Sequence, residues 1–420
     1  MQTTLVQRYL GNKTVILPEI INIVKEVASP GDIVVDAFSG SLAVSAALRS
    51  AGFEAACNDI NHFSWSFARA YFSEGRLPDP PGVTPVKSAV SLAYWERELA
   101  GLLDEDLSDL PPPHRRSDIF NHYCENGPNS GFHSKRGTVG RRRFFSEANA
   151  RALDRALCRI RYRHRSGQLD EQARCILMSA LISGVEKISN TQGTYHDFPR
   201  DFIDSRALKP LTLRMPDPKV FVGLSSHYIG KAEDSLDFVR RVPAHRVLYL
   251  DPPYNFRQYT AYYFMLNLLS SYPEIDDIEN YFREIRFVRG QNMTHDFKSS
   301  FCSRETFIPS LKALIERADS EYVILSYFDG RNHWGSFKAK NADTEGKRLL
   351  SEFFSSDLFV SSSVRCVPLG RTNYQSYGGF SAKAVQEFLF VAQKRKSPLT
   401  RRGLGGDGEW IGRGSAFGTT

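Results

Sequence analysis

The chain has 420 residues, which is enough for a large hydrophobic core and for two or three structural units. Apolar residues make up 41% and charged residues 24%, as in ordinary globular proteins, and the formal net charge is +7. The sequence contains no secretory signal pattern, no apolar run long enough to cross a bilayer, and no Cys-x-x-Cys pair among its six cysteines. These features exclude a membrane or disulfide-rich secreted protein and predict a reduced, cytoplasmic one.

The first predicted elements resemble a unit that binds a nucleotide-like cofactor. A periodic apolar segment from Ile16 to Val27 predicts a helix. The run from Ile33 to Asp36 predicts a buried strand, and the small residues from Ala37 to Ser41 predict a turn into an alanine-rich helix that ends near Ser50. A strand, a tight glycine turn and a helix amino terminus together are typical of a cradle for such a cofactor.

An acidic residue follows the second predicted strand, which covers Ala55 to Cys57. Asp59 lies about twenty residues beyond the glycine turn, at the offset where a carboxylate accepts hydrogen bonds from both hydroxyls of a cofactor ribose. This position fits a dinucleotide or S-adenosylmethionine equally well, and a later motif must decide between them.

A basic and aromatic stretch interrupts the α/β pattern. Proline-rich residues 77–86 predict a linker, and three prolines at 111–113 mark a second break. Residues 113–165 contain 13 Lys or Arg and 4 Asp or Glu, a balance that favours a polyanionic partner. The cations that we expect to contact phosphates are Lys135, Arg136, Arg141, Arg142 and Arg143. A solvated charged loop is the alternative interpretation.

The same stretch contains the one cluster of metal-ligand residue types. Its members are His114, His122, Cys124 and His133. Their spacing matches no zinc pattern, so we expect no metal site.

Two helices are predicted after Ser146. Arginines recur at four-residue spacing along the first helix, at Arg151, Arg155, Arg159 and Arg163. Like charges one helical turn apart repel by a few tenths of a kcal/mol each, so this stripe predicts a counter-charge such as a phosphate backbone. The second helix, from Glu171 to about Ile188, is largely apolar and predicts core. The polar loop at 189–198 is either a loop that contacts a ligand or a plain capping loop.

The central motif of the chain is Asp-Pro-Pro-Tyr at residues 251–254. The apolar run 247–250 predicts a buried parallel strand, and open α/β sheets bind ligands at the carboxyl ends of such strands. Pro252 and Pro253 have no N–H, so the loop offers acceptors, namely the Asp251 carboxylate and the Pro252 carbonyl. Two neighbouring acceptors suit an amino group, and they stabilise the positive charge that grows on its nitrogen during methylation. The Tyr254 ring would stack on the base that carries this amino group. A proline turn after a core strand is the alternative interpretation.

With these motifs in this order, the chain resembles the DNA adenine-N6 methyltransferases of the Dam-like class. Gly11-Asn12-Lys13 is similar to their amino-terminal cofactor motif, residues 36–40 to their first cofactor loop, and Asp59-Ile60-Asn61 to their ribose-binding acid. The order of cofactor loop, basic insertion and Asp-Pro-Pro-Tyr is that of the class. One difference is Leu42, where the family's loop usually has a second glycine, so we expect the backbone to approach the methionine end of the cofactor differently.

The resemblance implies a set of binding residues. The acid expected to accept a hydrogen bond from the cofactor's adenine amine is Asp234, with Glu233 as its rival. The complete expected cofactor set is Tyr9, Gly11, Lys13, Asp36, Phe38, Ser39, Gly40, Asp59, Ile60 and Asp234. Arg257 and Tyr259 are expected either to contact DNA near the extruded base or to hold the catalytic loop. The loop at 326–330 is expected to wall the base pocket.

The expected fold is α/β, with a doubly wound Rossmann-like methyltransferase sheet, an antiparallel edge hairpin and an inserted, mainly helical and loop, target recognition domain. The expected boundaries are 1–75 for the cofactor half, 76–218 for the insertion, 219–395 for the Asp-Pro-Pro-Tyr half and 396–420 for a disordered tail. Within the third unit, we predict strands near 219–231, 322–327, 358–364 and 387–391 and helices near 305–318 and 345–354.

The predicted function is site-specific transfer of a methyl group from S-adenosylmethionine to the N6 amine of adenine in duplex DNA, without a metal. Because that amine lies inside the duplex, the enzyme must flip the base out. Expected partners are double-stranded DNA and the cognate endonuclease of a restriction-modification or phage-defence system, in a bacterial or phage-infected cell near the nucleoid, with the protein a monomer or dimer. The alternatives are an RNA adenine-N6 methyltransferase and a non-catalytic DNA-binding regulator with the same fold.

Overall fold

A six-stranded sheet forms the centre of the molecule in a computed structural model that describes residues 9–80, 83, 87–191, 195–292, 294, 297–328, 333–334, 344–375 and 381–395. The strands are β1 (Ile33–Asp36), β2 (Glu54–Cys57), β3 (Gly131–His133), β4 (Val139–Arg141), β5 (His245–Leu250), β6 (Ser320–Phe328), β7 (Arg365–Gln375) and β8 (Ser381–Gln393). The central sheet has the order β2-β1-β5-β6-β8-β7, and β3 pairs with β4 in a separate hairpin.

The first four strands of the sheet, β2, β1, β5 and β6, run parallel. β8 runs antiparallel to β6, and β7 runs antiparallel to β8. The apolar run that predicted a buried strand is the centre of β5, where Val247, Leu248 and Leu250 have no exposed surface. Continuous apolar strands are typical of sheets covered on both faces. The predicted α/β fold with a mainly parallel central sheet is confirmed.

The helices of eight or more residues are α1 (Leu17–Val27), α2 (Ala43–Ser50), α3 (His62–Phe72), α4 (Ser88–Leu102), α6 (Glu147–Arg165), α7 (Glu171–Ile188), α10 (Phe264–Ser271), α12 (Arg304–Arg317) and α13 (Thr344–Phe354). The shorter helices are α5 (Asp118–Tyr123), α8 (Ser235–Arg241), α9 (Tyr259–Tyr262) and α11 (Ile278–Arg283). Apolar residues of α1 and α2 pack on one face of the sheet, and those of α8, α12 and α13 pack on the other. The sheet is therefore the middle layer of three.

A third hydrophobic cluster lies beside the sheet and joins α3, α4, α6, α7 and α10. It contains residues of the predicted insertion, such as Leu153 and Leu177, together with residues that follow the catalytic motif, such as Leu269. Side-chain caps fix the amino termini of α6 and α7. Ser146 accepts a hydrogen bond from the Asn149 N–H at the start of α6, and Asp170 accepts one from the Ala173 N–H at the start of α7. The insertion helices thus share one core with the catalytic half.

Two strand predictions were wrong. Residues 219–231 form no strand, and Ile229 makes a single bridge to Cys57 at the edge of the sheet. Residues 358–364 precede β7 instead of forming a strand, because a 3-10 turn at Ser361–Ser363 occupies the segment. Alternation of apolar residues over a short segment does not supply the neighbouring strand that a ladder needs.

Further elements were absent from the predictions. Residues 259–283 contain α9, α10 and α11, which are too short for a helical period to emerge clearly from the sequence. The basic and aromatic stretch contains α5 and the β3-β4 hairpin, for which no element was predicted. Among the described residues, no helix is both long and apolar enough to span a membrane. The predicted disordered tail lies outside the described residues.

Candidate active site

A cavity of about 700 Å³ lies at the carboxyl ends of β1, β2 and β5. Parallel strands end at one edge of the sheet, so residues far apart in sequence meet there. The residues of the expected cofactor set that line it are Tyr9, Gly11, Phe38, Asp59, Ile60 and Asp234. Asp251, Pro253, Tyr254 and Tyr259 line it from the other side.

Four residues of the expected cofactor set lie behind the cavity wall instead. Asp36 is buried, and its Oδ2 lies 2.6 Å from the Ser45 hydroxyl. The Ser39 hydroxyl donates to the Asp36 carbonyl at 2.8 Å, and the Gly40 N–H donates to Asp59 Oδ2 at 2.9 Å. These three residues therefore shape the glycine turn from within. The fourth, Lys13, contacts the catalytic motif.

The glycine turn is shaped by two residues with positive φ. Gly40 has φ +49°, and a Cβ at this position would lie 2.6 Å from the Tyr9 ring, so only glycine fits. Leu42 has φ +63° and is buried in the hydrophobic cluster beside the sheet. A left-handed conformation costs a non-glycine residue about 1 to 2 kcal/mol, which the burial of this leucine offsets. The departure from the family's second glycine is thus accommodated by packing.

The Asp59 carboxylate is held in place by three protein N–H donors. Besides Gly40, the backbone N–H and the side-chain amide of Asn61 donate to Oδ1 at 2.9 and 2.7 Å. Burial raises the pKa of Asp59, and these hydrogen bonds oppose that shift. Each carboxylate oxygen has two lone pairs, so the group retains acceptor capacity on the cavity side.

Asp251 forms a buried ion pair with Lys13, with Nζ 2.8 Å from Oδ1. Lys13 also pairs with Glu387 of β8, a residue with no exposed surface that the predictions missed. Burial alone would lower the pKa of Lys13, but Asp251 and Glu387 outweigh burial and raise it, so the lysine is a cation. An acid within the apolar strand sequence Glu-Phe-Leu-Phe-Val was the signal that could have revealed Glu387.

Aromatic rings form the walls around Asp251. The Tyr254 ring lies 5.4 Å from the Phe328 ring, centroid to centroid. Tyr9 stacks on Tyr263 at 4.8 Å and lies 5.9 Å from Tyr259. Phe328 is the last residue of β6, so residues 326–328 of the predicted wall loop are strand, whereas residues 329 and 330 lie outside the described residues. Such walls present flat apolar faces on which a planar ring can stack.

The cations of the β3-β4 hairpin region occupy different environments. Lys135 and Arg136 are exposed at the hairpin turn. Arg141 donates to the Gly127 carbonyl at 2.6 Å, and Arg143 pairs with Glu125 at 2.6 Å.

Arg142 is buried and donates to the carbonyls of Asn129, Phe287 and Val288 at 3.0 to 3.1 Å. The Arg142 guanidinium is therefore engaged inside the protein, and its contact with DNA stays a prediction. Its donors are used to join the insertion to the segment that follows α11.

The counter-charge predicted for the arginine stripe on α6 is supplied within the protein by carboxylates, since Arg151 pairs with Glu147 and Arg159 with Asp109. Arg159 donates to the carbonyls of Leu102 and Asp104 at 3.1 and 2.9 Å, and Arg163 pairs with Glu98 at 2.7 Å. Helix α4 ends at Leu102, and the last carbonyls of a helix have no partner within it. Arg159 therefore donates hydrogen bonds to backbone carbonyls at the end of α4, inside the protein.

The polar loop after α7 contacts the segment that follows the catalytic motif. The His196 ring stacks on Tyr262 at 4.7 Å, and the Arg257 guanidinium lies 5.6 Å from the same ring. Asn190 donates to the Arg143 carbonyl at 2.9 Å, which ties the loop to the hairpin region. Residues 192–194 lie outside the described residues.

Within the described part of the chain, no group of three or more His, Cys, Asp or Glu side chains is arranged to hold a metal. The His114 ring lies 5.0 Å from the Tyr162 ring, and the His122 ring lies 4.7 Å from the Phe282 ring, centroid to centroid.

Comparisons with known proteins agree with this site. The family model described as D12 class N6 adenine-specific DNA methyltransferase matches residues 9–95 and 116–314. The type II methyltransferase M.NlaIII of Neisseria lactamica is 28% identical over 297 residues, which are 70% of this chain and 76% of that protein. The type II methyltransferase M.FokI of Planomicrobium okeanokoites is 26% identical over 393 residues, and the modification methylase StsI of Streptococcus sanguinis is 25% identical over 391. Both of these alignments cover 92% of this chain but only 52% of the relative.

Proposed function

The chain belongs to the D12 class of N6 adenine-specific DNA methyltransferases, and from this premise we propose that its cavity binds S-adenosylmethionine and that Asp251 receives the N6 amine of a flipped adenine. The observation that carries the proposal is the position of Asp251. Its carboxylate lies at the end of β5 on the cavity wall, 2.8 Å from a buried lysine that compensates its charge.

The cavity residues fit S-adenosylmethionine by their chemistry. Asp59 presents a fixed carboxylate whose remaining acceptor site, on Oδ2, suits a ribose hydroxyl. Asp234 caps α8 by accepting from the Leu236 N–H at 2.8 Å, which fixes a second carboxylate for an adenine amine. Glu233, its rival, pairs with Arg241 and is therefore less available. Phe38 adds an apolar surface. When bound, S-adenosylmethionine supplies a methyl group activated by a sulfonium charge.

In the transfer, N6 would gain the methyl group that S-adenosylmethionine supplies, the electron pair of the broken carbon–sulfur bond would stay on sulfur, and the N6 proton would pass to solvent. Asp251 accepts a hydrogen bond from the amine and so draws the nitrogen lone pair away from the ring system. The carboxylate also stabilises the positive charge that grows on N6. Tyr254 lines the cavity together with Asp251 and offers a stacking surface for the base.

For duplex DNA, we propose that residues 76–218 act as the target recognition insertion and that β7 and β8 are the edge hairpin of the family fold. Lys135 and Arg136 project into solvent from the β3-β4 turn, where they can contact phosphates. Arg257, next to the stacked pair of His196 and Tyr262, lies between this region and the catalytic loop. Phosphate contacts of this kind offset the few kcal/mol that flipping a base costs.

The names of the relatives support a place in a restriction-modification system, in which the methylated site is protected from a cognate endonuclease. Type II methyltransferase and modification methylase are the names of M.NlaIII, M.FokI and StsI. We extend that role to this chain as part of the proposal, together with a bacterial or phage source.

The test is incubation of the protein with tritium-labelled S-adenosylmethionine and, in parallel, unmethylated genomic DNA and total RNA, followed by nucleoside analysis. We expect label in N6-methyldeoxyadenosine. Asp251→Ala should lower the single-turnover rate by about 10² to 10³-fold or more, because a group that stabilises transition-state charge is lost. Binding of DNA, measured by fluorescence anisotropy, should stay close to that of the wild type.

Asp237→Ala is the matched control, since Asp237 is an exposed carboxylate on α8 that does not line the cavity. Its rate should equal that of the wild type. Label in RNA alone would favour an RNA methyltransferase. Tight DNA binding with neither label nor S-adenosylmethionine binding would favour a non-catalytic regulator.

A further inference from the structure

Three charged side chains form a buried row that ends at the cavity. Lys13 Nζ lies between Asp251 Oδ1, at 2.8 Å, and Glu387 Oε1. Lys13 is 3% exposed and Glu387 is 0% exposed, whereas Asp251 is 17% exposed because it reaches the cavity wall. The Ser326 hydroxyl lies 2.5 Å from Glu387 Oε1, the same oxygen that pairs with Lys13. The row therefore runs from the interior of the sheet to the reaction site.

The position of Glu387 follows from the register of the sheet. In the antiparallel pairing of β6 and β8, Glu387 lies opposite Phe328, the last residue of β6. β6 runs parallel to β5, so its last residues lie at the edge where Asp251 follows β5. A carboxylate from a strand two places away thus reaches the same edge as the catalytic loop.

Asp251 alone already compensates the charge of Lys13. The presence of a second buried carboxylate, Glu387, therefore requires a separate explanation. Burying an ion is unfavourable unless its partners have good geometry. Lysine is a compact charge on a flexible four-carbon stem, and one contact does not fix the direction of its ammonium group. Contacts on two sides do fix it.

We propose that Glu387 is a positioning residue for methyl transfer. It holds the Lys13 ammonium from the interior, and Lys13 in turn holds Oδ1 of Asp251, so that Oδ2 is directed at the incoming amine. The Ser326 hydroxyl orients Glu387 through its hydrogen bond to Oε1. The inference rests on the proposed function, since it assigns how the acceptor of that reaction is held. Glu387 lies beyond residue 314, where the match to the family model ends.

The experiment compares three variants of the full chain, namely Glu387→Gln, Lys13→Met and the double variant. Single-turnover methyl transfer to duplex DNA gives the chemical rate, calorimetry gives the dissociation constant for S-adenosylmethionine, and anisotropy gives that for DNA. We expect Glu387→Gln to lower the rate by about 10 to 100-fold with both dissociation constants within about threefold of the wild type, because a misplaced reacting group slows chemistry. The double variant should be no slower than Lys13→Met, since Glu387 acts through Lys13.

The matched control is Glu186→Gln. Glu186 is a buried glutamate of α7 whose Oε1 lies 2.8 Å from the Tyr195 hydroxyl. Its change in melting temperature shows what neutralising a buried glutamate does to stability alone, and its rate should match the wild type. A wild-type rate in Glu387→Gln, or losses that multiply in the double variant, overturns the inference while leaving the proposed function intact.

If Glu387→Gln does not fold, Ser326→Ala tests the inference instead. This variant removes the Ser326 hydroxyl that contacts Glu387 and changes no charge. We expect a loss of at least about threefold in the chemical rate, as for a hydrogen bond to a charged group, and an unchanged rate overturns the inference. A wild-type chain that labels no adenine overturns both the inference and the proposed function.

Discussion

The cavity edge of the sheet and the predicted insertion both bury cations, but the cations have different partners. At the edge, Lys13 pairs with two carboxylates, one of which reaches the cavity. In the insertion, Arg142 and Arg159 donate mainly to backbone carbonyls, three for Arg142 and three for Arg159. The same formal charge therefore serves the reaction site in one region and the architecture in the other. The partner, not the charge, distinguishes the two roles.

The side-chain chemistry explains the division. Arginine carries five donors in a planar fork, so one residue can satisfy several carbonyls at a helix end or between two loops. Lysine has one compact ammonium group, which suits the alignment of a carboxylate. Exposed cations at the tip of the β3-β4 hairpin form a third group, whose natural partner is a phosphate.

The largest effect that separates the two regions is expected from Arg159→Met. This change leaves the carbonyls at the end of α4 and the Asp109 carboxylate without their shared donor, so the free energy of unfolding should fall by about 3 kcal/mol or more. Urea denaturation followed by circular dichroism measures it.

Arg151→Met, on the same helix, is the matched control. Arg151 is 48% exposed and pairs with Glu147 one turn away, so the expected loss is only about 0.5 kcal/mol. Equal losses in the two variants would contradict the internal role that we assign to Arg159.

The second prediction concerns a buried acid at the catalytic edge that has no cation beside it. Burial raises the pKa of Asp36 to about 7, although its bond to Ser45 opposes the shift. Between about pH 4 and 7 the unfolded chain releases the Asp36 proton while the folded chain keeps it. The contribution of Asp36 to the free energy of unfolding should therefore decrease as pH rises through this range, and then level off.

Asp36→Asn removes this titration. Urea denaturation at several pH values should show a stability difference between Asp36→Asn and wild type that shifts in favour of the variant from about pH 4 to 7. A difference that is independent of pH would mean that Asp36 is ionised in the folded protein throughout.

The smallest expected effect is at the hairpin tip. Replacing Lys135 and Arg136 together by alanine should weaken DNA binding about tenfold and reduce the slope of log affinity against log salt by about 2, while leaving the melting temperature unchanged. Anisotropy titrations at several potassium chloride concentrations measure both quantities.

The control is the double replacement of Lys312 and Arg317 by alanine, which removes the same charge from the exposed face of α12. It should leave the salt slope unchanged. Equal effects of the two double variants would show that overall charge, and not the hairpin, attracts the DNA.

Some elements could be predicted because their signals are local. The strand from Ile33, the glycine turn, the acid at 59 and the apolar strand before Asp251 each depend on residues next to one another in the chain. Segments 219–231 and 358–364 were mispredicted because a strand exists only where a neighbour pairs with it, and the pairing partners lie far away in sequence.

The sequence by itself determined the family and the order of its motifs, since a methyltransferase loop is recognised from contiguous residues such as 251–254. Only the tertiary structure decided which charges face a ligand and which face the protein. Lys13, Arg142 and Arg159 were predicted to bind a cofactor or phosphates, and the fold supplies each with internal partners from remote segments. The physical reason is that a charge is used by whichever partner the fold brings within hydrogen-bond distance, and sequence spacing does not encode that distance.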